Sequence, residues 1–131
     1  MNISIEHIAI PSPEPARLKN WYERVLGARV IFDNGARPPT FLIALPGGGW
    51  LEIYAADGVP ENRRNNSLAG FRHVALRVES LDQARAELER LGVTFSGPER
   101  PAAGSGRVLF FEDRDGNLLH LVERPRDLQL S

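Results

Sequence analysis

The sequence predicts an α+β fold made of two copies of one β-rich unit, and three observations support this prediction. The chain has 131 residues, of which 42% are hydrophobic and 8% aromatic, as is typical of a globular core. Its second half repeats the pattern of its first half. In each half, short runs of alternating apolar and polar residues surround a single amphipathic helix.

The first and last strands of the two units match most closely. The run 5–10 aligns with 71–76 and places His7 on His73, 66 residues later. The run 50–53 aligns with 118–121 and places Glu52 on His120, 68 residues later. Because these offsets are nearly equal, we expect the four polar residues to occupy equivalent places in the two units.

The helix of each unit has recognisable ends. The first opens at Ser12 and Pro13 and stops at Gly27, whereas the second opens with a capping box at Ser80 and stops at Gly92. Three strands should follow each helix, at Arg29–Phe32, Phe41–Leu45 and Trp50–Ala55, and at Thr94–Ser96, Arg107–Glu112 and Leu118–Glu123.

Each unit therefore has the order βαβββ. We expect repeat 1 at about 1–57, a polar linker at about 58–69, repeat 2 at about 70–125 and a tail at 126–131. A unit of about 60 residues buries too little surface to be stable alone, so the two should form a single domain over 1–131.

Composition excludes several classes of function. A net charge of -1 and a pI near 6.3 give no general attraction to nucleic acid or to anionic membranes. The absence of cysteine excludes disulfides and thiolate ligands. The amino terminus has no basic region or cleavage site, and no apolar run approaches the roughly 20 residues that span a bilayer. We expect a cytoplasmic protein.

The four matching polar residues suggest a metal site. Alternation along the strand puts Glu52 on one face with Trp50 and Tyr54, and leaves Leu51 and Ile53 for the helix to cover. The same alternation separates His120 from Leu119 and Leu121. Because imidazoles and carboxylates are costly to bury unless paired or bound to metal, we predict one divalent ion on His7, Glu52, His73 and His120.

Two coordination geometries are compatible with this set of donors. Three imidazoles and a carboxylate suit Fe, Mn, Co, Ni or Zn. An octahedral ion would keep two positions for water or for two substrate oxygens, and could act as a Lewis acid. A tetrahedral zinc would be closed by four ligands, and the site would then be structural.

The two strand histidines, Leu-Glu-Ile at 51–53 and the segment 110–121 resemble the vicinal oxygen chelate superfamily from Ile3 to about Glu123. This superfamily includes glyoxalase I, methylmalonyl-CoA epimerase, extradiol dioxygenases, fosfomycin-resistance proteins and metal-free bleomycin-resistance proteins. The resemblance implies paired βαβββ modules that form a cup-shaped mixed sheet with helices on its outer face, and a homodimer. It also implies that the four predicted residues are the metal ligands, within one chain or across two.

Two departures from the superfamily's pattern affect the expected chemistry. Arg114 replaces a proline in the closing hairpin, which should change little. His120 stands where most catalytic members carry glutamate, so the carboxylate associated with proton transfer is missing there. Glu123, three residues further along the strand, should point to the opposite face. Glu52 is then the carboxylate expected at the ion, as ligand, base or both.

The resemblance leaves three functions open. The first is a metal-dependent isomerase, epimerase or lyase that binds a small substrate through vicinal oxygens, and an extradiol-type dioxygenase ranks below it. A non-catalytic dimeric protein that binds an antibiotic-like small molecule is the alternative. Arg37 is a further candidate for a substrate anion. The residues predicted to line the substrate pocket are Trp50, Tyr54, Phe71, Phe110 and Arg107.

Overall fold

A computed structural model of the chain describes residues 1–61 and 64–125 and confirms the α+β fold of two βαβββ modules. The chain separates into two compact units that divide after Glu61. The predicted tail at 126–131, and residues 62–63 of the predicted linker, lie outside the described residues. Neither helix in the described part of the chain is long and apolar enough to cross a membrane.

Unit 1 contains one four-stranded sheet and one helix. Its sheet has the order β1-β4-β3-β2, with β1 parallel to β4 and the other pairs antiparallel. The elements are β1 (His7–Ser12), α1 (Pro15–Leu26), β2 (Arg29–Asp33), β3 (Phe41–Ala44) and β4 (Trp50–Ala55).

Unit 2 repeats this topology with the order β5-β8-β7-β6, and β5 is parallel to β8. The shared topology confirms the internal repeat that the sequence predicted. The elements are β5 (Val74–Arg77), α2 (Leu81–Arg90), β6 (Ser96–Pro101), β7 (Arg107–Glu112) and β8 (Leu118–Glu123).

Strands β1, β5 and β6 differ most from their predicted bounds, whereas β2 and β3 each end one residue away from the predicted end. Strand β1 begins at His7 rather than at residue 5, and β5 begins at Val74, so that His73 precedes its strand. The prediction of a strand at Thr94–Ser96 was wrong, because β6 runs from Ser96 to Pro101. Strand β6 contains two prolines, and it is an edge strand, where a missing backbone donor is tolerated.

The two helix starts differ in how well the sequence located them. Helix α1 begins at Pro15, later than predicted, because Ser12 still belongs to β1 and its hydroxyl accepts a hydrogen bond from the Glu14 amide (3.1 Å). Gly27 ends α1 in the left-handed conformation, at φ 70°. Helix α2 begins as predicted, with the Ser80 hydroxyl accepting a bond from the Gln83 amide (3.2 Å).

Each helix covers one face of the sheet in its own unit. In unit 1, Leu18 and Tyr22 of α1 pack in one buried cluster with Ile43, Leu51 and Ile53 of the sheet. In unit 2, the corresponding buried residues of α2, β7 and β8 are Leu81, Leu88, Leu109, Phe111, Leu119 and Leu121. The alternate residues of each strand therefore form a second face that carries no helix of its own unit.

A group of ionic contacts joins α2 to the sheet of unit 2. The guanidinium of Arg107 contacts Glu99 (2.9 Å), Glu123 (3.2 Å) and Asp82 (3.5 Å). The other carboxylate oxygen of Glu123 accepts the Leu81 amide at the start of α2 (2.9 Å). This backbone bond, together with Arg107, lowers the pKa of Glu123 below its ordinary value.

We expect Glu123→Gln to destabilise the protein in a pH-dependent manner. A carboxylate whose pKa is lower in the folded state stabilises that state above its unfolded pKa, near 4.5, and the contribution is lost as the pH falls through the folded pKa. Urea unfolding should therefore show a lower free energy of unfolding for the variant at neutral pH, with the difference from wild type shrinking below that value. Glu89→Gln, on the exposed Arg85–Glu89 pair of α2, is the control. If the difference in free energy of unfolding between wild type and Glu123→Gln were constant across this pH range, a lowered pKa of Glu123 would not be its cause.

Candidate functional site

Two of the four predicted residues meet in unit 1. The pairing of β1 with β4 puts His7 and Glu52 on the same face, and Nε2 of His7 lies 3.8 Å from a carboxylate oxygen of Glu52. Along β4, Leu51 and Ile53 are buried, whereas Trp50, Glu52 and Tyr54 are more accessible. This alternation confirms the predicted division of β4 into a helix face and a polar face.

The other two predicted residues meet in unit 2. The ring centroids of His73 and His120 are 4.6 Å apart. Phe110, which is paired with His120 across β7 and β8, lies 4.9 Å from the His120 ring and 5.6 Å from the His73 ring. His120 is 7% exposed, and His73 is exposed.

The three histidines share one hydrogen-bonding arrangement. Nδ1 lies 2.9 Å from the Glu6 carboxylate in His7, 2.7 Å from the Asn66 amide oxygen in His73 and 3.1 Å from the carbonyl oxygen of the next residue in His120. Each partner oxygen can only accept, so each Nδ1 donates. In the neutral form of each ring, Nε2 then carries the lone pair, as in metal-ligating histidines.

The electrostatic environment of His120 favours a neutral ring. Burial lowers its pKa, and the neighbouring His73 lowers it further. A neutral imidazole is the form that binds metal, so protons compete less for Nε2 of His120 at neutral pH.

The structure brings the predicted ligands together as two pairs, His7 with Glu52 and His73 with His120. Among residues 1–61 and 64–125, no group of three or more His, Cys, Asp or Glu side chains is arranged to hold a metal ion. The chemistry of the donors fits a divalent ion, since the set consists of three imidazoles and one carboxylate. The four-residue metal site stays a prediction.

The residues predicted to line a pocket differ in their surroundings. Phe110 contacts both histidines of unit 2, and Trp50 and Tyr54 flank Glu52 on β4. Trp50 is 40% exposed, and Phe71 is fully exposed.

The two predicted arginines have different environments. Arg107 lies on the helix face of its sheet with Leu109 and Phe111, opposite Phe110, where three carboxylates already surround it. This position favours a structural role for Arg107 over the predicted contact with substrate. Arg37 is exposed in the segment before β3.

The hydrogen-bond partners of the histidines were not identified from the sequence. Two arginines on the polar face of unit 2 were also not identified from it. Glu6 is adjacent to His7, which could have marked it as a partner. Asn66 lies in the polar linker, where no periodicity connects it with His73. Arg77 and Arg100 lie on the polar face of unit 2. Continuing the alternation from His73 would have placed Arg77 on that face.

Comparison with known proteins identifies related sequences. A sequence model of the Glyoxalase/Bleomycin resistance protein/Dioxygenase superfamily matches residues 4–121. The uncharacterized protein YwkD of Bacillus subtilis is 31% identical over 124 residues, which cover 92% of this chain and 97% of YwkD. The fosfomycin resistance protein FosX of Listeria monocytogenes is 28% identical over 126 residues, which cover 89% of this chain and 86% of FosX.

Solved structures share the fold. A glyoxalase family protein from Enterococcus faecalis superposes with a TM-score of 0.76 at 29% identity, covering 92% of this chain and 97% of that protein. FosX from Listeria monocytogenes, complexed with Mn(II) and sulfate, gives a TM-score of 0.70 at 22% identity, covering 97% of this chain and 94% of FosX. At 22% identity, the likeness to FosX shows a common fold.

We expect Asn66→Ala to change the protonation pattern of His73 without unfolding the protein. The amide oxygen of Asn66 holds the proton on Nδ1 of His73, and its removal should let the proton move to Nε2. Nitrogen chemical shifts of the imidazole, measured by NMR on metal-free protein, report this tautomer directly. Asn65→Ala removes a neighbouring amide that instead accepts from the Ser67 backbone, and it should leave His73 unchanged. An unaltered tautomer in Asn66→Ala would show that this bond does not orient the ring.

Proposed function

The chain belongs to the Glyoxalase/Bleomycin resistance protein/Dioxygenase superfamily, and on that premise we propose that it is a metal-dependent enzyme acting on a small substrate with two neighbouring oxygens. The proposed ligands of one divalent ion are His7, Glu52, His73 and His120. The proposed reaction is of the isomerase, epimerase or lyase type.

The shared orientation of the three imidazoles carries this proposal. A histidine with an ordinary structural role has no need to keep Nε2 available, yet all three rings direct Nδ1 to an oxygen acceptor. The three acceptors come from different parts of the chain, so no single turn or loop explains the coincidence. The Mn(II) complex of the relative FosX is consistent with a divalent metal in this family.

The residues around Glu52 support a proton-transfer role. A divalent ion, when bound, supplies Lewis-acid polarisation of a substrate oxygen. The Glu52 side chain is 31% accessible, so a small substrate can reach its carboxylate. The Glu52 carboxylate is our candidate base for a proton on the carbon next to the polarised oxygen. Trp50 and Tyr54, on the same face, give the substrate an apolar contact that reduces access of water to this carboxylate.

We further propose that the protein acts as a homodimer. In this proposal, one ion is shared by the pair His7 and Glu52 and the pair His73 and His120. The two pairs belong either to one chain or to two copies of the chain. Mixing inactive Glu52→Gln with inactive His73→Ala chains distinguishes these cases. Recovered metal binding in the mixture would indicate ligands contributed by two copies.

The exposed aromatic residues favour a second candidate, a non-catalytic protein that binds a small molecule. Trp50 at 40% and Phe71 at 104% exposure are large apolar side chains available for stacking on an aromatic ligand. This alternative requires no metal. The metal content of the protein as purified therefore separates the two candidates.

We expect about one equivalent of divalent metal per site, and its loss in His73→Ala. His73 is exposed and precedes β5, so its truncation removes a ligand without opening a core cavity. Elemental mass spectrometry of untagged protein measures the metal, and thermal unfolding checks the fold. Glu99→Gln, which alters a carboxylate paired with Arg107, should keep the metal. Wild-type protein that neither contains nor takes up metal would exclude the enzyme proposal and favour the binding protein.

We expect His120→Glu to retain the metal, because a carboxylate oxygen can replace an imidazole nitrogen as a ligand. The buried carboxylate would also restore the acidic group that this position carries in most catalytic members, so proton-transfer activity should rise. Metal titration and proton–deuterium exchange of a candidate substrate measure the two effects. Loss of metal in this variant would show that the fourth imidazole is required.

A further inference from the structure

Two arginines lie on the histidine-bearing face of unit 2 without an acidic partner. Arg77 is the last residue of β5, and Arg100 lies on the edge strand β6. Both are exposed, and in the described part of the chain neither forms an ion pair. Arg107, on the opposite face, contacts three carboxylates. The charge of Arg107 is therefore neutralised locally, whereas the two arginines on the histidine face keep theirs.

The strand registers place these arginines in one line across the sheet. Arg77 pairs with Val122, Val122 with Val108, and Val108 with Arg100. We call these four residues the arginine row. Its two ends are about 14 Å apart at the backbone, since three strand spacings separate them. Long side chains at both ends can therefore approach one small anion held between them.

The arginine row lies beside the histidines. His120 pairs with Ala75 on one side and with Phe110 on the other, two residues along each strand from the arginine row. Two residues of a strand span about 7 Å, which is the length of a small metabolite. The guanidinium of Arg100 also lies 5.9 Å from the centre of the Phe110 ring, and Phe110 contacts His120 and His73. Arg100 thus leans from its row towards the histidines.

We propose that Arg77 and Arg100 bind a dianionic group, a phosphonate or a phosphate monoester, at the end of the substrate remote from its two neighbouring oxygens. The assignment of this ligand as the substrate rests on the proposed function. A dianion matches two unneutralised guanidinium groups better than a singly charged carboxylate does. The planar guanidinium groups can also form bidentate hydrogen bonds with oxyanions. The two valines between them are buried, at 8% exposure for Val108 and 5% for Val122, so the exposed arginine side chains supply the accessible contacts of the row.

Titration of metal-free full-length protein with inorganic phosphate tests the arginine row without any contribution from metal. Wild-type protein should bind phosphate, and Arg77→Gln and Arg100→Gln should each weaken binding about tenfold, as expected for the loss of a charged hydrogen-bond donor. Arg85→Gln is the matched control, because Arg85 also lies over a phenylalanine ring, at 6.0 Å from Phe95, but on helix α2 and paired with Glu89. This control should bind phosphate as the wild type does.

The outcomes separate this inference from the proposed function. No phosphate binding by the wild type, equal binding in all three variants, or acetate binding as tight as phosphate binding would each overturn the arginine row as a dianion site. Metal uptake by the same proteins is measured in parallel, and both arginine variants should retain it. If the wild type bound phosphate through the two arginines but took up no metal, the anion site would stand and the enzyme proposal would fall.

Discussion

The alternation of side chains along the last strand of each unit is the constraint on which the candidate site depends. Leu51 and Ile53 must face α1, because each buried aliphatic side chain contributes roughly 1.5–3 kcal/mol. Glu52 is therefore obliged to face the other way. A slip of the strand by one residue would bury the carboxylate under the helix, which is costly without a partner. The same argument fixes His120 through Leu119 and Leu121. Packing of the core thus determines where the polar donors lie.

The two faces of the unit 2 sheet use arginine in different ways. Under α2, Arg107 is surrounded by carboxylates, and hydrogen bonding to Glu123 raises its pKa, so it remains charged and serves as a structural link. On the histidine face, the side chains of Arg77 and Arg100 have no such partner among the described residues. An ion pair that is already satisfied offers little to a ligand, because binding would first have to break it. Accessible arginines without a carboxylate partner can bind an anion without first losing an ion pair.

The sequence predicted most of the fold because the determining signals are local. The structure confirms the helix start at Ser80, the stop at Gly27 and the bounds of β4, β7 and β8, all of which follow from short patterns. Strand β6 was misplaced because proline is tolerated there only through its position at the sheet edge, which depends on the topology. The contact of Asn66 with His73 was also missed, since a linker side chain reaches a histidine outside any periodic segment.

The replacement of a carboxylate by His120 has an electrostatic consequence for the proposed ligand set. A buried carboxylate would pay a larger desolvation cost than a neutral imidazole, and burial already disfavours the charged form of His120. With Glu52 as the single anionic ligand, the set carries one negative charge, so a divalent ion would retain one net positive charge. That residual charge would add to the charges of Arg77 and Arg100 on the same substrate. A ligand set poor in carboxylates and a pair of unneutralised arginines therefore favour the same class of substrate, a small molecule with a high density of negative charge.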